Sequence, residues 1–167
     1  MSKIQSNKKI YKILEKELKT LVNKMGMQQA EFKIELNKGN EFNDNGTDQI
    51  SFMFSANKGN SFKTLKKVVS GGELSRITLA IKAILSQYKK LPTLVFDEID
   101  SGVSGKISNS IAEVMGTIST KLQVFTITHL PQVAAKGNHH FRVKKKVEND
   151  KTITFLEVLN QNSRIEE

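Results

Sequence analysis

Residues 93–105 read Thr93-Leu94-Val95-Phe96-Asp97-Glu98-Ile99-Asp100-Ser101-Gly102-Val103-Ser104-Gly105. A short apolar run follows Pro92 and ends abruptly in two carboxylates, which predicts a buried strand over 93–96. Behind it, Ile107, Ile111, Val114 and Ile118 recur at three- and four-residue steps and predict a helix over 105–119 with those residues facing inward. A second apolar run, Val124-Phe125-Thr126-Ile127-Thr128, predicts another buried strand. Strand, helix, strand with continuous apolar strands implies parallel pairing through a helical crossover. Asp97 and Glu98 then stand at the carboxyl edge of a parallel sheet, where open α/β folds bind their ligands.

Upstream, residues 71–88 carry Leu74, Ile77, Ile81, Ile84 and Leu85 at helical spacing. Two strands are expected at 31–36 and 49–55, the second alternating Ile50, Phe52, Phe54, with turn formers between 37 and 47, so the pair reads as an antiparallel hairpin. Residues 3–25 form a lysine-rich amphipathic helix with Leu14, Leu18, Leu21, Val22 and Met25 on one stripe, stopped by Gly26 at a C-cap position. Downstream, Pro131 opens a short helix ending near Gly137. Outer strands follow at 140–145 and 152–158, and residues 160–167 read as a frayed tail.

The bulk numbers set the class. The 167 residues suit one domain with a sizeable core, and 38% hydrophobic with 26% charged residues fits a globular rather than a disordered chain. No apolar run approaches the roughly 20 residues of a membrane span, and without cysteine there are neither disulfides nor thiolate metal sites. The net charge of +9 fits a polyanionic partner, nucleic acid or nucleotide phosphate. It is concentrated in residues 1–25, with seven lysines against two glutamates, and in Arg142, Lys144, Lys145 and Lys146. Two solvated basic faces would give the same composition.

Three short constellations carry chemistry. Ser70-Gly71-Gly72-Glu73 has the form of a capping box. Yet each glycine in the first helical turn costs about 1 kcal/mol against alanine, and a cap alone requires neither. Two glycines there let an anion approach exposed backbone N–H groups at the positive end of the helix. Asp97 and Glu98 are either solvated strand-end residues or a metal-and-water pair. His129, in Thr126-Ile127-Thr128-His129-Leu130-Pro131, reaches the same sheet edge if the two strands are neighbours. A lone histidine is more often structural, and His139 and His140, with no further ligands in view, read as surface or structural residues.

Taken together, the order Ser-Gly-Gly-Glu opening a helix, apolar-Asp-Glu, loop aspartate and strand-His resembles the signature, Walker B, D-loop and H-loop of the ABC ATPases. Transporters of that superfamily usually carry Gln after the signature glycines and Asp-Glu-Pro at Walker B. Glu73 and Asp97-Glu98-Ile99 are instead similar to the chromosome-maintenance and DNA-repair branch. Within it, residues 69–76, 96–105 and 128–135 are most similar to RecN-type proteins. The resemblance covers about residues 15–145.

The resemblance implies an α/β fold: the C-terminal lobe of an ABC/SMC-type ATPase head, with a parallel sheet core, flanking helices, an antiparallel hairpin and the end of a coiled-coil arm. Its implied divisions are 1–25 for the arm helix, 26–160 for the lobe and 161–167 for a flexible tail. It further implies that two heads sandwich ATP. Ser70, Gly71, Gly72 and Glu73 would meet nucleotide held by the other head, with Asp100 at the head–head contact. Asp97 would hold Mg²⁺, Glu98 would orient the attacking water and His129 would sit near the γ-phosphate. The implied partners are the N-terminal half of the same protein, a second head in an ATP-dependent homodimer, and DNA, with no membrane. The implied setting is the cytoplasm at the nucleoid, in double-strand-break repair and recombination. Other readings are the head of another SMC-like or recombination ATPase, and a non-catalytic DNA-binding scaffold. One departure qualifies the resemblance: the P-loop pattern Gly-x-x-x-x-Gly-Lys-Ser/Thr is absent, and the only Gly-Lys pair, Gly105-Lys106, is followed by Ile107. Alone, the chain is therefore expected not to hydrolyse ATP, and the family precedent makes it a piece of a longer protein.

Overall fold

The computed structural model describes residues 3–44, 46–65, 70–89, 91–97, 99, 102, 103, 105–148 and 150–166. Its first element is helix α1, Lys3–Lys24. The apolar stripe sinks progressively: Ile10 and Ile13 are about half exposed, whereas Leu18, Val22 and Met25 are buried. The helix closes in a Schellman motif, Met27 N–H donating to Val22 O and Gly26 N–H to Asn23 O, with Gly26 at φ +87°. The last turns of α1 are thus part of the core and not an appendage to it.

Strands β1 (Glu31–Asn43) and β2 (Gly46–Ser55) pair antiparallel from Glu31↔Ser55 to Lys38↔Asp48, and again at Asn43↔Gly46 after a register shift. The hairpin is longer than the alternation suggested, because its polar outer half continues the ladder through residues read as turn formers. Its apolar face runs from Phe32 and Phe54, buried with ring centroids 5.3 Å apart, to the more exposed Ile50. A short third strand, β3 (Lys63–Thr64), borders β2 and leaves β1 at the edge. There the Ile34 N–H donates to Glu15 Oε1 of α1 at 2.6 Å, fastening arm to sheet.

Helix α2 (Gly71–Tyr88) leads to β4 (Thr93–Asp97), α3 (Gly105–Ser119) and β5 (Gln123–Ile127). The expected parallel pairing is present, with register Thr93↔Gln123 through Asp97↔Ile127. Two expectations need correction. Leu74 and Leu85 of α2 are exposed; its buried residues are Ile77, Leu79, Ala80, Ala83, Ile84 and Ser86, since two alanines let the helix sit close. The strands are not buried on both faces either. Phe96 is buried and Leu94 and Val124 pack on the core, but Val95, Phe125 and Ile127 are about half exposed. Pleating sends alternate residues to opposite faces, and among the described residues no element covers the second one.

After β5 come α4 (Pro131–Ala134), with Leu130 at its N-cap, and a separate antiparallel ribbon of β6 (Phe141–Glu148) and β7 (Lys151–Val158). One ribbon face exposes Phe141, Val143, Val147, Leu156 and Val158; on the other, Glu157 pairs with Arg142 at 3.0 Å and Lys144 at 2.7 Å. Where a frayed tail is expected, Gln161–Glu166 form helix α5. Asn160 Oδ1 accepts the Ser163 N–H, and the Arg164 guanidinium donates to Gly137 O at 2.6 Å.

One core joins α1, the β1–β2 base, α2, β4, α3 and Val133. Its tightest seam is Gly26 on α3, where a Cβ would stand 2.5 Å from Ile107 Cδ1. Gly26→Ala is expected to destabilise the chain by about 1–3 kcal/mol, through positive φ and crowding together. Urea denaturation checks this, and adding Ile107→Ala should relieve only the crowding share.

Candidate functional site

Ser70 precedes α2 with extended backbone, and its hydroxyl accepts the Glu73 N–H at 3.4 Å. Glu73 Oε2 accepts in return from the Ser70 N–H and Oγ–H, both at 3.0 Å. The capping box is therefore fully formed. It leaves the Gly71 and Gly72 N–H groups without a partner among the described residues. A Cβ at Gly71 would meet nothing within 4 Å, so the packing of the lobe does not require a glycine there. The opening favours an outside group approaching the positive end of the helix.

Asp97 ends β4 and is exposed. Its register partner is Ile127, the last residue of β5, so His129, also exposed, lies in the bend two residues beyond. The pairing thus brings Asp97 and His129 to one sheet edge, as the sequence predicted. Thr128 Oγ1 accepts the Leu130 N–H at 3.0 Å and turns the chain into α4. Glu98 and Asp100 lie outside the described residues. His139 is exposed, and the His140 Nδ1 atom is buried without a hydrogen bond.

Lys82 Nζ donates to Val95 O at 3.3 Å and lies 4.8 Å above the Phe96 ring, tying α2 to β4. The glycines stand in the first turn of α2 and Asp97 at the end of β4.

No family model matches the chain. Individual relatives do. It is 39% identical over 145 residues to the DNA repair protein RecN of Haemophilus influenzae, covering 86% of this chain and 26% of that protein. With RecN of Bacillus subtilis it shares 37% over 171 residues, 96% of this chain and 30% of the relative. RecN of Vibrio cholerae matches at 37% over 157 residues, covering 93% and 28%.

The chain belongs with the RecN proteins.

It spans less than a third of the length of these relatives. The fold agrees with SMC heads. An Smc head domain with an extended coiled coil, bound to the C-terminal domain of ScpA, from Pyrococcus furiosus superposes with a TM-score of 0.64 at 17% identity, covering 91% of this chain and 36% of that one. A Pyrococcus yayanosii Smc head with coiled coil and joint gives 0.68 at 18%, covering 92% and 28%. The RecN-type lobe is thus an α/β SMC-like head lobe.

Two cations near these motifs escaped the sequence reading. Lys82 fastens α2 to the strand that bears Asp97. Arg76, one turn past the glycines, has a buried Nε without a hydrogen-bond partner, and burial holds its guanidinium below its ordinary value against the opposing pull of Glu73. Helix periodicity marked only apolar positions, so neither stood out. Ser70→Ala is expected to cost about 1 kcal/mol by removing the cap. Glu73→Gln should stay within about 0.5 kcal/mol, because Gln also serves a capping box. Thermal unfolding of both variants checks the pair.

Proposed function

We propose that this lobe supplies the signature end and the carboxylate edge of an ATP-driven head dimer in RecN-type repair of DNA double-strand breaks. The observation that carries the reading is the open first turn of α2, where a Cβ at Gly71 would meet nothing within 4 Å, in a lobe that also brings Asp97 and His129 to one sheet edge. Backbone N–H groups open in this way suit the phosphate of a nucleotide held by a second head. Ser70, Gly71 and Gly72 then bind the terminal phosphate of that second head, with Glu73 holding the turn in shape.

ATP and Mg²⁺ fit the donors present: an open N-terminal helical turn for phosphate, and an exposed carboxylate at a sheet edge for the cation. Asp97 would hold Mg²⁺, which when bound would screen the phosphate charge. Glu98 orients and takes a proton from the attacking water, His129 donates toward the terminal phosphate, and Asp100 lies at the head–head contact. The phosphate-binding loop comes from an N-terminal lobe outside these 167 residues. The half-exposed faces of β4–β5 and β6–β7 offer that lobe apolar surface to cover. A groove of about 500 Å³ between α1 and α2, lined by Ile13, Leu21 and Ile84 among others, accepts the outgoing arm helix.

DNA is the second proposed partner. Lys9 and Lys12 are exposed on α1 away from its buried stripe, and suit a phosphate backbone. No helix among the described residues is long and apolar enough to cross a membrane. The proposed action on DNA would put the protein in the cytoplasm at the nucleoid.

The experiment is Glu98→Gln in an ATP-competent protein containing this lobe. Hydrolysis is expected to fall on the order of a hundredfold, while ATP binding persists and the head dimer accumulates in size-exclusion chromatography. Hydrolysis at the unaltered rate would remove Glu98 from the reaction.

A further inference from the structure

Glu73 and Arg76 stand three residues apart on α2, close enough to interact across one helix face. Today they do not bond. The Glu73 carboxylate is committed to Ser70, accepting both its N–H and its hydroxyl at 3.0 Å. Arg76 keeps a buried Nε donor with no acceptor. The rest of the guanidinium is only partly buried, so this one enclosed donor is the unmet part, and leaving it unmade has a cost. Both residues line a cleft of about 290 Å³ together with Gly26, Met27, Gln28 and Gln29, the link between α1 and β1, and with Ala56 and Asn57 just after β2. Gly26 itself is wedged on Ile107 at the start of α3. The cleft thus lies between the end of the arm and the helix that begins at the glycines.

The Ser70 hydroxyl carries a single proton. It cannot donate to Glu73 and to a phosphate oxygen at once, and an arriving phosphate repels the carboxylate beside it. One turn away is a cation with an unfilled donor. We propose that Glu73 is a nucleotide-responsive switch: when phosphate engages Ser70, the carboxylate turns from the Ser70 hydroxyl to Arg76, and the new ion pair closes the cleft against the end of the arm. Arg76 is accordingly a positioning residue that reports phosphate engagement to the 26–29 link. The inference rests on the signature role proposed for Ser70.

The test is a double-mutant cycle in an ATP-competent protein containing this lobe, with Glu73→Gln and Arg76→Gln measured singly and together. Glutamine at 73 keeps the capping box but forms no ion pair. ATP-dependent head dimerisation is expected to weaken about fivefold in each single variant and no further in the double. Without nucleotide, where the two residues only attract each other through space, the coupling between them read in Tm should be small and clearly below that read in ATP-driven dimerisation. Arg76→Lys should recover part of the loss, since it keeps the charge but not the planar fork. If Arg76→Gln does not fold, Arg76→Met, which keeps the apolar stem and removes the charge, runs the same cycle. Additive effects on dimerisation, or equal coupling with and without ATP, would overturn the switch. Ser70→Ala separates the two layers: if it leaves ATP-driven dimerisation intact, the signature reading itself fails; if it abolishes dimerisation while the cycle stays additive, only the switch fails.

Discussion

A Cβ at Gly26 would stand 2.5 Å from the Ile107 side chain, and that closeness organises the lobe. It requires α1 to end where it does, in a Schellman turn whose glycine takes a positive φ. It also presses the arm onto the first turn of α3, the helix that follows the loop after Asp97. Leu18, Val22 and Met25 are buried with Ile77 of α2 and Phe96 of β4 in the same core. The end of α1 thus touches α3 at Ile107 and, through the 26–29 link, shares a cleft with Glu73 and Arg76 of α2. The Glu15 carboxylate on the Ile34 N–H adds a third tie, to the edge of the hairpin.

The remainder of the site follows from how two short strands pair. Register Asp97↔Ile127 aligns the ends of β4 and β5, so a carboxylate and an imidazole separated by 32 positions in the chain share an edge. Lys82, on Val95 O and the Phe96 ring, ties α2 to β4. The first turn of α2 leaves Gly71 uncrowded, with open backbone donors that the packing of the lobe does not use; the proposed two-head reading gives them a phosphate.

Much of this was legible in the sequence, for identifiable reasons. The parallel pair was readable because β4 and β5 are compact apolar runs separated by a helix with clean spacing at Ile111, Val114 and Ile118. The α1 stop was readable because Gly26 follows the last apolar position. What the pattern could not deliver was partnership beyond period. Continuous apolar strands read as buried on both faces, but Val95, Phe125 and Ile127 await a cover that these residues do not provide. The polar half of the hairpin has no alternation to betray its ladder. Helix α5 depends on Asn160 as a local cap and on Arg164 reaching carbonyls 26 and 27 residues back, neither of which leaves a periodic trace. Arg76 and Lys82 matter through what lies across from them, which no spacing rule reveals.

The central claim is that these residues hold the signature end and the carboxylate edge while the phosphate loop lies elsewhere. The most direct measurement is Mg²⁺-dependent ATP turnover by the purified 167-residue chain alone. The account predicts no turnover above that of buffer, at any chain concentration. Sustained turnover that disappears with Glu98→Gln would contradict it, because the chain would then be holding and cleaving nucleotide without the loop.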